Sequence, residues 1–302
     1  MLSRNIETFL ECDKTYEEAD TVLFGAPFDS TTSFRPGTRF GSGAIRHESF
    51  GLESYSPYQD RDLRDARIMD SGDLELPFGN TEEVLREIEE RAAEILEAGK
   101  RPFLLGGEHL VTLGAFRAAL KKYPDLCMIH FYAHTDLRED YLGVPLSHAC
   151  VIRRCWELAG DGRIHQFGIR SGEREEFLFG KEHTDLHTFT FEGLAEIVDS
   201  LKDRPVYFTV DLDVMDPSVF PGTGTPEAGG ISFLQLLNAI LLVARCRIVG
   251  ADVNELAPML DNTGVSTATA CKVLRELLIA ILKSRADTSP DNRKTDAGRD
   301  SL

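Results

Sequence analysis

The sequence predicts an α/β fold, a mostly parallel sheet with helices on both faces. Two observations carry this. Short apolar runs with few polar residues recur along the chain, as strands covered on both faces do. Amphipathic segments of helical period lie between them, and such a βαβα alternation leads to parallel pairing. Of the 302 residues, 42% are hydrophobic, enough for a sizeable core.

In chain order the strand candidates are TVLFGAP (21–27), RIMD (67–70), PFLLGG (102–107), CMIHF (127–131), RIHQFGIR (163–170), PVYFTVDLD (205–213) and RIVGADV (247–253). The clearest helix covers 81–98. Asn80 caps it with Glu83 three residues on, Val84, Leu85, Ile88, Ile95 and Leu96 form its apolar stripe, and Gly99 stops it. Segments 109–122, 191–202, 232–245 and 264–284 read as further helices. No Pro/Gly/Ser-rich linker interrupts 20–284, so residues 1–284 are expected to form one domain. The stretch 285–302, RADTSPDNRKTDAGRDSL, has almost no apolar residues and is expected to be disordered.

Composition narrows the function. A net charge of −17 argues against nucleic acid, whose phosphates need a basic face, and mildly favours small cations. No apolar stretch approaches the roughly 18 residues that cross a bilayer. The opening MLSRNIETFLECDK lacks the features of a secretory signal. The six cysteines are scattered without CxxC pairs, which reads as reduced thiols and a cytoplasmic location.

Acids and histidines gather at three strand ends: GGEH (106–109), HFYAHTD (130–136) and VDLDVMDP (210–217). Ligands of open α/β sheets collect outside the carboxyl ends of strands. Asp211 and Asp213 alternate by two, so on a strand both leave one face, where their charges repel unless a cation lies between them. His134 and Asp136 repeat that spacing. His109 follows two glycines, which let the backbone turn sharply. Any one of these histidines alone is more often a core or surface residue than a ligand; three converging clusters point to a metal. Mixed His/Asp ligation suits Mn²⁺, Fe²⁺, Co²⁺, Ni²⁺ or Zn²⁺.

GGEH, AHTD, VDLDVMDP with PGTGTPEAGG, and ADVNELAP resemble the ureohydrolase family of arginases, agmatinases and relatives. So do GAPFDSTTSFRPGTRFGSGAIR (25–46), DSGD (70–73), LSHACVIRR (146–154) and FGIRSG (167–172). The resemblance implies a three-layer α/β/α sandwich, two Mn²⁺ ions bridged by hydroxide, and attack on a guanidinium carbon to give urea and an amine. Carried over by motif, His109, Asp136 and Asp211 hold one ion, and His134, Asp211 and Asp213 the other. Glu255 pairs with the guanidinium, and His148 passes a proton to the leaving amine. Family members are usually trimers or paired trimers, which implies a homo-oligomer.

One position departs from the family pattern. The motif Asp-Ala-His-x-Asp here reads Tyr132-Ala133-His134-Thr135-Asp136. The missing aspartate bridges both ions, so its loss touches both, and activity is expected to be impaired. The loop LREDYLGVPLSHA (137–149) carries acids and no Asn/Ser/Thr cluster, which looks more like bacterial agmatinases. The implied substrate is agmatine, hydrolysed to putrescine and urea. A catalytically inactive relative that binds a ligand or partner is the alternative. A histone-deacetylase-like amidohydrolase with one Zn²⁺ fits GGEH and NELAP poorly.

Overall fold

A computed structural model describes residues 7–201 and 203–282, so the 285–302 stretch and the end of the predicted 264–284 helix lie outside the described residues. The strands are β1 (Thr21–Gly25), β2 (Tyr55–Ser56), β3 (Arg61–Asp62), β4 (Ile68–Asp73), β5 (Arg101–Leu105), β6 (Cys127–Phe131), β7 (Ile164–Ile169), β8 (Asp185–Thr188), β9 (Pro205–Asp211) and β10 (Arg247–Asn254). The helices are α1 (Gly41–Ser49), α2 (Thr81–Glu97), α3 (Thr112–Lys122), α4 (Val151–Ala159), α5 (Arg174–His183), α6 (Leu194–Leu201), α7 (Phe233–Val243) and α8 (Val265–Ile281).

Among the described residues, eight strands form one sheet in the order β4-β1-β5-β10-β9-β6-β7-β8. Every pair in it is parallel. Strand residues alternate between two cores, as a period of two requires. Leu23, Phe103, Ile129 and Phe208 join α1, α6, α7 and α8 on one face. Val22, Leu104, Met128 and Tyr207 join α2, α3 and α4 on the other. The three-layer α/β/α sandwich follows from that division.

Helix α2 begins and ends where its residues dictate. The Asn80 side chain accepts from the Glu83 amide at 3.2 Å, and Gly99 takes a φ of +74°. Among the described residues, no helix is long and apolar enough to cross a membrane.

The glycines before His109 act differently from the expected sharp turn. Neither Gly106 nor Gly107 has a positive φ. They are needed for room: a Cβ on Gly107 would stand 2.0 Å from the Phe28 carbonyl oxygen, and one on Gly106 would stand 1.7 Å from Asn254 Oδ1.

Candidate active site

Four strands lie side by side as β5-β10-β9-β6, and each delivers residues at its carboxyl end. His109 opens a short 3-10 turn, His109–Val111, after β5. Glu255 follows β10. Asp211 ends β9, and Asp213 lies on the 3-10 turn Leu212–Val214. His134 and Asp136 occupy the loop after β6. The expected i, i+2 alternation along a strand is therefore not what pairs them. Strand β6 stops before His134 and β9 stops on Asp211, whose Oδ1 turns back to accept the Asp213 amide at 2.9 Å. Asp136 and Glu255 hold φ of +52° and +68°, rare for residues with a side chain and a form of strain found at functional sites.

The side chains converge all the same. His109 Nδ1 stands 3.2 Å from Asp136 Oδ2 and 3.7 Å from Asp211 Oδ2. His134 Nδ1 faces Asp213 Oδ2 at 3.2 Å. Glu255 Oε1 accepts the His109 amide at 2.8 Å, and His148 Nδ1 is 3.9 Å from that oxygen. His148 is buried. Its Nε2 takes the Ser33 amide at 3.0 Å and contacts the Ser33 hydroxyl at 2.9 Å.

Tyr132 stands among them. Its ring is 1% exposed, with its centre 4.8 Å from that of His109 and 5.0 Å from that of His134. Burial, then the charges of Asp136, Asp211, Asp213 and Glu255, hold its phenol well above its ordinary value, so it stays neutral. A cleft of about 280 Å³ opens above the ring, lined by Tyr132, His134, Asp136 and His148 among others. His109, Asp211, Asp213 and Glu255 do not line it.

Electrostatics say what is missing. Burial raises the Asp136, Asp211 and Glu255 carboxyls well above the usual range, and neighbouring carboxylates push Asp211 and Glu255 further. Burial lowers His109 and His148 to about 4, so both rings are neutral. On His134 burial opposes, and the nearby carboxylate charges, Asp213 foremost, outweigh it to raise the ring. His134 Nδ1, Asp211 Oδ2 and Asp213 Oδ2 are buried with no partner in hydrogen-bonding geometry. Orphaned imidazole and carboxylate atoms that face one another fit a divalent cation in kind. They do not form a finished cage: among the described residues, no three His, Cys, Asp or Glu side chains are placed to hold an ion. Tyr132 occupies the place between the two pairs.

Two acids that support the site went unread in the sequence. Glu176 takes the Thr135 hydroxyl and, at 3.1 Å, the Leu137 amide, gripping both neighbours of Asp136. Nothing marks it within the EREE run at 173–176. Glu108 sits inside the GGEH motif, which was its available signal. It is wholly buried and receives the Thr31 amide at 2.9 Å and the hydroxyls of Thr31 and Thr32, thereby holding the loop that carries Ser33 to His148. The 137–149 loop gives the cleft Arg138, Tyr141, His148 and Ala149 rather than its acids; the cleft's carboxylates are Asp136, Glu173 and Glu176. Arg138 lies between the last two, at 2.9 Å from Glu173 and 3.3 Å from Glu176.

Burial pushes Glu108 up to about 7 against the lowering effect of its threonine donors. An unfolded glutamate loses its proton near about 4.3. Between those values the folded state binds the extra proton, so this group's contribution falls as pH rises and its full cost is present above about 7. Glu108→Gln, which cannot ionise, is therefore expected to gain on the parent by roughly 3 kcal/mol between pH 4 and pH 8. Urea denaturation at both pH values checks this, and an unchanged difference between the two proteins would rule it out.

The chain resembles known proteins along most of its length. The sequence model of the arginase family matches residues 19–280. Agmatinase of Bacillus subtilis (strain 168) is 49% identical over 282 residues, covering 92% of this chain and 97% of that protein. N(1)-aminopropylagmatine ureohydrolase of Thermococcus kodakarensis is 41% identical over 266 residues, covering 85% and 89%. The crystal structure of agmatine ureohydrolase of Thermoplasma volcanium superposes with a TM-score of 0.84 at 34% identity, covering 93% and 96% of the two chains.

Proposed function

Because this chain belongs to the arginase family, whose members are binuclear metal enzymes, we propose that it hydrolyses agmatine to putrescine and urea, at a centre impaired by Tyr132. The observation that carries this reading is the two facing pairs, His109 with Asp136 and His134 with Asp213, with Asp211 beside the first and Glu255 behind them. In it, His109, Asp136 and Asp211 would hold one Mn²⁺ ion, and His134, Asp211 and Asp213 would hold the other. When bound, the ions supply Lewis acidity and a water of lowered pKa.

The chain's own groups do the rest. Glu255 commits Oε1 to the His109 amide. Its other oxygen is left to pair with the planar guanidinium. His148 is neutral, and because Nε2 accepts from Ser33, its proton rests on Nδ1. That nitrogen has no partner, so its N–H is placed to orient the departing amine, which the ring would protonate only after taking up a second proton. Glu173 and Glu176 outweigh the single charge of Arg138 in the cleft, which suits a substrate cationic at both ends.

Urea release tests the substrate. With Mn²⁺ added, the Tyr132→Asp variant should favour agmatine over arginine and 4-guanidinobutyrate by about tenfold or more in kcat/KM. A preference for arginine would overturn the assignment. A second reading, a relative without turnover that binds a guanidino cation in the cleft, is favoured by the ring between the two pairs and the absence of a finished cage among the described residues. Calorimetry distinguishes it, since the chain would then bind agmatine without metal and release no urea.

A further inference from the structure

On the side of His109 away from the acids lies a buried polar cluster that the chemistry above does not use. Asp252, on β10, is fully buried. It receives the Tyr207 hydroxyl at 2.7 Å, the Thr209 hydroxyl at 2.6 Å and the Asn254 amide nitrogen at 2.6 Å. The parallel register sets Asp252 opposite Thr209 on β9. Burial raises the Asp252 carboxyl, and the donors aimed at it work against that rise by satisfying its lone pairs.

That arrangement fixes a direction. A threonine hydroxyl has one proton, and Thr209 gives its proton to Asp252. Toward His109 Nε2, 2.9 Å away, Thr209 is then only an acceptor, so the ring must be the donor. The opposite nitrogen, Nδ1, keeps its lone pair and faces Asp136 and Asp211 at 3.2 and 3.7 Å. We infer that Asp252, acting through the Thr209 hydroxyl, is a positioning residue that locks His109 in its Nε2–H tautomer and commits Nδ1 to the ligand side of the site. Direct carboxylate–histidine pairs orient metal ligands in the same way; here a hydroxyl stands between the two partners. This role rests on reading His109 as a ligand, but the tautomer can be measured without any metal.

The full chain, metal-free and labelled with ¹⁵N at histidine, is the sample. Long-range ¹H–¹⁵N spectra separate the two tautomers, and a His109→Gln variant assigns the signal. The parent should show His109 as the Nε2–H form. Thr209→Ser, which keeps the hydroxyl, should retain that form. Thr209→Val and Asp252→Asn should each bring in the Nδ1–H form, with the remaining histidine signals reporting that the chain is folded. In the Tyr132→Asp background, Thr209→Val should weaken Mn²⁺ binding by about ten- to a hundredfold, and Thr209→Ser by little. An Nδ1–H parent, or a tautomer indifferent to both Thr209→Val and Asp252→Asn, would overturn the inference. Should Tyr132→Asp bind no Mn²⁺ while the tautomers shift as described, the metal reading fails and this one stands.

Discussion

Replacing Tyr132 by aspartate is expected to take bound manganese from about one ion per chain or fewer to about two, and urea release from agmatine up by roughly a hundredfold or more. The ring stands between His109 and His134, and its neutral phenol cannot offset the repulsion of two cations. A short carboxylate clears that space and supplies an oxygen to each side. The change has a cost that makes a second measurement informative. Without metal, the variant adds an acid to a pocket where burial already disfavours ionised Asp136, Asp211 and Glu255, and it deletes a buried ring. The metal-free variant should therefore melt below the parent and recover on adding Mn²⁺, since an ion that binds only the folded state stabilises it. Two bound ions and equally fast turnover in the chain as it stands would sink this account of Tyr132.

Gly107→Ala is expected to destabilise the fold by about 3 kcal/mol or more, with a Tm lower by roughly 6 °C or more. The added Cβ would stand 2.0 Å from the Phe28 oxygen and 2.7 Å from its nitrogen, both backbone atoms. Neither can move freely. The same Phe28 oxygen accepts the Glu108 amide at 2.8 Å, and the Gly107 carbonyl accepts the Glu255 amide at 3.0 Å. Relief by shifting the 28–33 loop would pull Ser33 from His148, so activity in the Tyr132→Asp background should fall along with stability. Gly43→Ala is the control. It lies in α1 with nothing within 4 Å of its Cβ and should be neutral or slightly stabilising. Melting of Gly107→Ala within a degree or two of the parent would refute the clash.

Much of this was legible because residues buried on both faces announce themselves. The seven apolar runs correspond to β1, β4, β5, β6, β7, β9 and β10. Strand β8 was not read: DLHT lies at the sheet edge and is only half-buried, so it carries no apolar run. Helices α1, α4 and α5 were also missed; α5, REEFLFGKEH, is polar along most of its length. At the site, residue types placed at strand ends identified the side chains that converge. Their arrangement was harder to read, because it depends on strand order and on turns after the strands stop. That β10 separates β5 from β9 is a contact between distant parts of the chain, and it is what sets Glu255 against His109. The support from Glu108, Glu176 and Asp252 comes through hydrogen bonds spanning tens of residues, which local pattern does not carry.

The place of β10 has a consequence in time. Among the described residues it is the last strand to be synthesised, yet it joins the β4-β1-β5 half of the sheet to the β9-β6-β7-β8 half. On the ribosome, each half can pair its own strands while the seam between them stays open, and on that seam fall Glu255 and the Asp252 that backs His109. A nascent chain that has passed Asp213 but not yet Asn254 thus carries every histidine and aspartate of the two facing pairs, and β6 and β9 can already set His134 near Asp213, but it lacks the strand that carries His109 up to them. Chemistry at this site is therefore closed to a copy that has not yet supplied β10, and begins only after the two halves have been joined.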